Sequence, residues 1–289
     1  MIQRIDNKDN SAQVINKIAI FTASFIIVSF IFQLLAAFFC RTIKVEENDE
    51  IITLMNNAFS FIGAGLLIYV FTRYWDRTTF SSIGFDTVGR AKDFAVGCLL
   101  AVLIISGGFA ILILSSAIEV EAVQLSNLPH LTVTFLTFVI VAVLEEMVCR
   151  GYILNNMMLV MNRYLALALS STIFAALHLF NPYVAALPVL NIFLAGIFLG
   201  ISYIHTRNLW FPIGLHLFWN FMQGPVFGFN VSGMDISHTI VRLRYPENNI
   251  INGGDFGFEG SVLCSVLCLS GALVIGLCYS RKEKNKARR

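Results

Sequence analysis

Apolar residues run through this sequence in long unbroken stretches, not in the alternating or one-sided patterns of a water-soluble fold. Eight stretches stand out by length and scarcity of charge: 18–40, 51–72, 94–118, 131–149, 164–180, 184–204, 209–224 and 261–279. About 20 apolar residues suffice for a helix to cross a bilayer. A helix also satisfies every backbone polar group where water is absent. The pattern therefore predicts an all-α, polytopic transmembrane helix bundle of about eight spans, the fifth and seventh of them short. The first stretch is too long for the apolar part of a signal peptide, and Phe38 and Phe39 before Cys40 do not form a cleavage site, so it reads as a retained anchor.

Composition agrees with the pattern. Hydrophobic residues make up 57% of the 289 and charged residues 13%, whereas a soluble domain carries about 25% charged residues. A net charge of +2, with basic residues scattered until the last nine positions, excludes nucleic acid as a partner. The six cysteines lie in or beside apolar runs without CxxC spacing, which reads as core rather than as a thiolate metal site. Sixteen of the twenty Lys and Arg residues fall in alternate connections, from Arg4, Lys8 and Lys17 through Arg73, Arg90, Arg150, Arg163 and Arg207 to the basic tail; Arg41, Lys44, Arg242 and Arg244 fall in the others. Basic residues are retained on the cytoplasmic side. Both termini are therefore expected in the cytoplasm, the chain being a multi-pass protein of a cell membrane, with the basic tail anchored near anionic lipid. The connection 225–260, rich in Asn, Gly and Asp, reads as an irregular outer loop.

Few polar residues interrupt the apolar runs. Among the acids, only Glu145 and Glu146 are embedded at the end of one. His178 and His216 also fall inside apolar stretches, and Asn220 shares a helix face with His216. An embedded carboxylate costs about 2.5–3.5 kcal/mol even on lenient insertion scales, so such groups face a protein interior or a wet cavity. If the fourth helix continues past Glu146 to a turn at Met161–Arg163, the midpoint between Glu145 and His178 falls in that turn. An antiparallel hairpin then sets the two side chains at the same height, about 24 Å from the turn. Arg150, Asn155, Asn156, Asn162 and Arg163 suggest that its tip protrudes into the cytoplasm. His216 follows the seventh helix start by only six residues, so all three groups can meet in the cytoplasmic half. Arg150 stands four residues after Glu146, the favourable order for a helical ion pair. Glu146 and Arg150 thus read as a supporting pair, and Glu145 as the freer carboxylate, suited to proton transfer.

The three segments EEMVCR, FAALH and HLFWN resemble, in order, the EExxxR, FxxxH and HxxxN motifs of the CAAX-processing protease and bacteriocin-immunity family (CPBP, or Abi) of intramembrane proteases. The resemblance covers about residues 94–224. It divides a single membrane domain, 1–289, into N-terminal spans 1–93, a catalytic core 94–224, the loop 225–260, and the last span with its tail, 261–289. It implies an intramembrane endopeptidase acting on peptide or lipid-anchored protein substrates at the membrane lipid. Glu145 and His178 would activate water, and His216 and Asn220 would stabilise the oxyanion, where one donor is worth about 3–4 kcal/mol. The family is commonly labelled metalloprotease. Glu145, His178 and His216 form a two-His, one-carboxylate set of the kind that binds zinc, and water activation by Glu and His without metal stays equally open. Cys149 stands where members often carry an aromatic residue. A non-catalytic immunity or scaffold protein of the same fold is the second reading. An ion or proton transporter is the third, weakened by the lack of paired inverted halves.

Overall fold

Every one of the eight apolar stretches coincides with a helix in the computed structural model, which describes residues 8–45 and 49–287; Arg4, Arg288 and Arg289 lie outside the described residues. The first three long helices are α1 (Lys8–Thr42), α2 (Asp49–Val70) and α3 (Ala91–Leu114). Then follow α4 (Leu131–Glu146), a π-helical segment (Met147–Leu154), α5 (Asn155–Val160), α6 (Arg163–Leu177), α7 (Ala186–Gly200), a single turn α8 (Tyr203–Thr206), α9 (Trp210–Phe221) and α10 (Val262–Ala287). Six of these segments are long and apolar enough to cross a membrane, counting Leu125–Val160 as one, and α6 is a shorter apolar helix. The chain is an integral multi-pass membrane protein. Its lipid-facing belt is visible as exposed Phe30, Leu34 and Phe38 on α1, Leu99 and Leu103 on α3, and Leu273 and Val274 on α10. Such contiguous apolar surface would drive aggregation in water.

Of the two short apolar helices, α9 lies inside this ring, while α6 keeps Leu165 and Leu169 exposed on one face. α9, only 12 residues and about 18 Å long, buries nearly every side chain. It can be short because protein rather than lipid surrounds its ends. α9 runs against α3 at backbone contact: a Cβ on Gly97 would lie 2.4 Å from the Phe211 carbonyl oxygen, and one on Gly214 would lie 2.4 Å from that of Phe94. Small residues at such crossings let two helices gain dispersion contacts and hydrogen bonding without a side chain between them. This crossing fixes the height of His216.

The hairpin turn falls at Met161–Asn162, where the Asn162 side chain accepts a hydrogen bond from the Tyr164 N–H and caps α6. Its tip does not stand free. Asn156 is buried and its Oδ1 accepts from Lys17 Nζ at 2.6 Å; Lys17 also pairs with Asp76. Arg207 holds the Asn155 side chain, and Arg163 reaches Glu283 of α10 with both guanidinium arms at 2.9 and 3.0 Å. Lys17 and Arg150, both counted above with the connections, are buried in the bundle instead, at 6% and 1% exposure.

The loop 225–260 is more ordered than its composition suggests. β1 (Glu119–Val123) and β2 (Val241–Arg244) form an antiparallel pair with Glu119 opposite Arg244 and an irregularity between Val120 and Ala122. Further along, Glu259 is buried and accepts hydrogen bonds from Trp219 Nε1 at 3.2 Å and from the Ser232 N–H and hydroxyl, each at 2.7 Å. The Asn191 amide of α7 donates to the carbonyls of Glu259 and Ser261 at 2.7 and 2.8 Å. A third embedded acid thus closes the loop over the end of the bundle. Its position just before the apolar stretch 261–279 reads as the end of a connection, so its burial is not evident from the sequence.

Candidate active site

Glu145 and Glu146 end α4, and the eight residues after them, Met147 to Leu154, are π-helical and all buried. A π segment leaves backbone groups displaced from the regular ladder and marks functional positions more often than chance. Here the Cys149 carbonyl accepts a hydrogen bond from the Ser170 hydroxyl of α6 at 2.9 Å, which satisfies the backbone in a water-poor interior. Widening of the helix also carries Arg150 inward. Its guanidinium donates to Glu146 Oε1 at 2.9 Å and to the Gly196 carbonyl of α7 at 3.1 Å, and its Cζ lies 4.4 Å from the centroid of the Phe174 ring. Removing either partner of such a fully buried pair costs about 3–5 kcal/mol, because an uncompensated charge stays behind.

The two acids, adjacent in sequence, have different surroundings. Glu146 is fully buried, with Oε1 shared between Arg150 and His216 Nδ1, each at 2.9 Å, and Oε2 without a hydrogen-bond partner among the described residues. Glu145 keeps 27% side-chain exposure, and its Oε2 is 3.7 Å from His216 Nε2 and 4.0 Å from His178 Nε2. Those gaps exceed a hydrogen bond and suit a water molecule held between the groups. His178 caps the C-terminal end of α6, where its Nδ1 lies 2.7 Å from the Phe174 carbonyl oxygen.

Tautomers follow from these partners. A carbonyl oxygen only accepts, so His178 Nδ1 carries the proton and, in the neutral ring, Nε2 presents a lone pair toward Glu145. The carboxylate of Glu146 does the same for His216: Nδ1–H donates to it and Nε2 is turned to Glu145. Asn220 lies one turn beyond His216 on α9, buried, and its side chain makes no hydrogen bond to any described residue.

Residues 127–222 match the family model Type II CAAX prenyl endopeptidase Rce1-like. This Rce1-like region agrees with the CPBP-type resemblance and contains Glu145, Glu146, Arg150, His178, His216 and Asn220. It runs from the turn before α4 to the end of α9, so that α1, α2, α3, α10 and the whole of the loop 225–260 lie outside it. No curated protein and no solved structure matches the chain.

The donor types of Glu145, His178 and His216 suit zinc, whose bonds to nitrogen and oxygen run about 2.0–2.2 Å. Their spacing fits less well. Glu145 is close enough to each imidazole, but the three do not form a set with all ligand atoms within 4.8 Å of one another; among the described residues only Glu50, His130 and His238 do. The trio is not closed around one ion, and the chemistry below is carried by side chains alone.

Residue roles beyond the motif letters also emerge. Phe174, the first letter of FAALH, supplies the carbonyl that orients His178 and the ring face beneath Arg150. The four-residue spacing from Phe174 to His178 was its only trace in the sequence. Ser170 and Gly196 act through backbone contacts that no motif letter marks.

Proposed function

We propose that the protein is an intramembrane endopeptidase of the CAAX-protease type, cleaving peptide bonds of membrane-associated or lipid-anchored substrates. The observation that carries this reading is the position of Glu145 Oε2, faced by Nε2 of both His178 and His216 while the Nδ1 of each ring is held by an acceptor. A water lodged there gives one hydrogen to Glu145 and the other to the His178 lone pair, leaving its own lone pair for the carbonyl carbon. As the C–O bond forms, Glu145 takes the proton. The carbonyl oxygen becomes an oxyanion, to which the Asn220 amide and His216 Nε2 donate. For His216 to donate from Nε2 while Nδ1–H stays on Glu146, the ring is an imidazolium; two carboxylates on either side support that charge, and Arg150 balances the remaining acid. Collapse of the tetrahedral intermediate breaks the C–N bond, and the proton passes from Glu145 to the leaving amine. The products are a carboxylic acid and an amine, and transfer of the acid proton to the amine leaves them as carboxylate and ammonium.

The bias of basic residues supports cytoplasmic termini in a cell membrane and a site in the cytoplasmic half. Membrane-tethered peptides incubated with the purified protein test the whole proposal. Cleavage by the wild type that disappears in Glu145→Gln and His178→Ala, with both variants folded, is the expected result. Cleavage that survives Glu145→Gln overturns the mechanism, and a wild type inert toward all such peptides favours the scaffold reading.

A further inference from the structure

A second cluster of two histidines and a carboxylate lies at the opposite end of α4. Glu50 on the first turn of α2, His130 immediately before α4 and His238 in the loop come from three segments far apart in sequence. His130 Nδ1 is 3.0 Å from Glu50 Oε2, and His238 Nδ1 is 2.8 Å from Glu50 Oε1, so each oxygen of one carboxylate serves one ring. The imidazoles stack face to face, centroids 3.8 Å apart and planes within 4°. Glu50 keeps only 9% side-chain exposure, whereas the rings keep 40% and 37%. The carboxylate is therefore shielded by the two imidazoles, and both imidazoles are open to solvent.

Hydrogen bonds that do not involve the imidazoles or Glu50 hold the two histidine segments together. The β1–β2 ladder continues through Gln124 N–H to the Ile240 carbonyl at 2.8 Å and through the Asn127 amide to the Thr239 carbonyl at 2.9 Å. The short 3₁₀ segment Leu125–His130 and the strand entry at His238 are thus positioned before the imidazoles meet. Sites held this way lose little order when a ligand arrives.

We propose that Glu50, His130 and His238 form a divalent-cation site of the zinc class, separate from the catalytic cluster. Their ligand atoms all lie within 4.8 Å of one another. Two imidazole nitrogens and one carboxylate oxygen suit zinc rather than calcium or magnesium, which prefer oxygen alone, and water completes a four-coordinate shell. Binding needs no net loss from neutral rings: each imidazole moves its proton to Nε2, on the solvent side, and offers the Nδ1 lone pair. Parallel rings direct those lone pairs side by side, so each ring turns about its Cβ–Cγ bond to share the ion, a motion their half-exposed positions permit. The ion ties α2, the start of the helix carrying Glu145, and the loop into one unit.

Zinc chloride titrated into chelator-stripped protein in detergent tests the site by calorimetry and by metal analysis after gel filtration. The wild type is expected to bind one zinc equivalent at this site. His130→Ala/His238→Ala loses that equivalent, Glu50→Gln weakens it at least tenfold, and His178→Ala/His216→Ala retains it. Excess magnesium leaves it bound, and acidification weakens it as protons compete for the imidazoles. Zinc bound equally by wild type and by the folded His130→Ala/His238→Ala variant overturns the proposal. So does zinc lost only in His178→Ala/His216→Ala. Glu50→Gln, nearly isosteric, keeps the test decisive if the double variant fails to fold.

Discussion

The two ends of α4 carry the same three residue types in opposite arrangements. At its C-terminal end, each histidine gives Nδ1–H to a different acceptor, the Phe174 carbonyl or Glu146, and both turn Nε2 toward the unclaimed Glu145. At its N-terminal end, both histidines give Nδ1 to the single carboxylate of Glu50. The first arrangement leaves a carboxylate and two ring nitrogens aimed into one shared gap, which is what proton transfer to and from water requires. The second consumes the carboxylate in holding the rings. Residue type alone does not separate a reactive cluster from a tethering one; the group that holds the second ring nitrogen does.

Turnover gives the sharpest way to break this contrast. Glu145→Gln is expected to lower kcat on a tethered peptide by about 10²–10⁴-fold, the usual contribution of a general base, with unfolding temperature unchanged. Equal activity in Glu145→Gln and the wild type would erase the distinction. The next largest effect concerns what holds the reactive end in place. Arg150→Met leaves Glu146 buried and uncompensated and should cost about 3–5 kcal/mol in chemical unfolding in detergent, much of it regained in Arg150→Met/Glu146→Gln. Ser170→Ala tests the π segment, since it leaves the buried Cys149 carbonyl without its hydroxyl partner. A loss of about 1–3 kcal/mol is expected in the same assay. The smallest effect belongs to the other cluster: in the absence of metal, His130→Ala/His238→Ala should change stability by no more than about 1 kcal/mol and leave peptide turnover unaltered.

Legibility in the sequence followed the scarcity of polar residues. The apolar stretches lie on the helices, and the turn at Met161–Asn162 could be placed because Glu145 and His178 are equidistant from it. Six spans are long; α9 can be short because other helices enclose it, whereas α6 is short and keeps Leu165 and Leu169 exposed on one face. Arg150 and Lys17, read as residues of connections, lie inside the protein because Glu146, and Asp76 with Asn156, pair with them there. Charge marks a connection only when no partner waits in the interior. Glu259 escaped notice for the converse reason: it precedes an apolar stretch instead of interrupting one, and its burial is made by Trp219, Gln223 and Ser232 from elsewhere in the chain. The strand pair β1–β2 was hidden in the same way, since short exposed strands with alternating charge look like loop until they find each other.

By itself, the sequence determined a membrane-embedded helical bundle and the order of the polar groups within it, because the cost of burying charge in lipid leaves so few that each is conspicuous. Tertiary structure decided which of them touch. Glu145 and Glu146 are chemically identical neighbours, and only the π segment, the inward turn of Arg150 and the close crossing of α3 with α9 assign one to an ion pair and leave the other facing two imidazoles. Hydrogen bonds act over about 3 Å, and no spacing along a chain fixes a distance that short between separate helices.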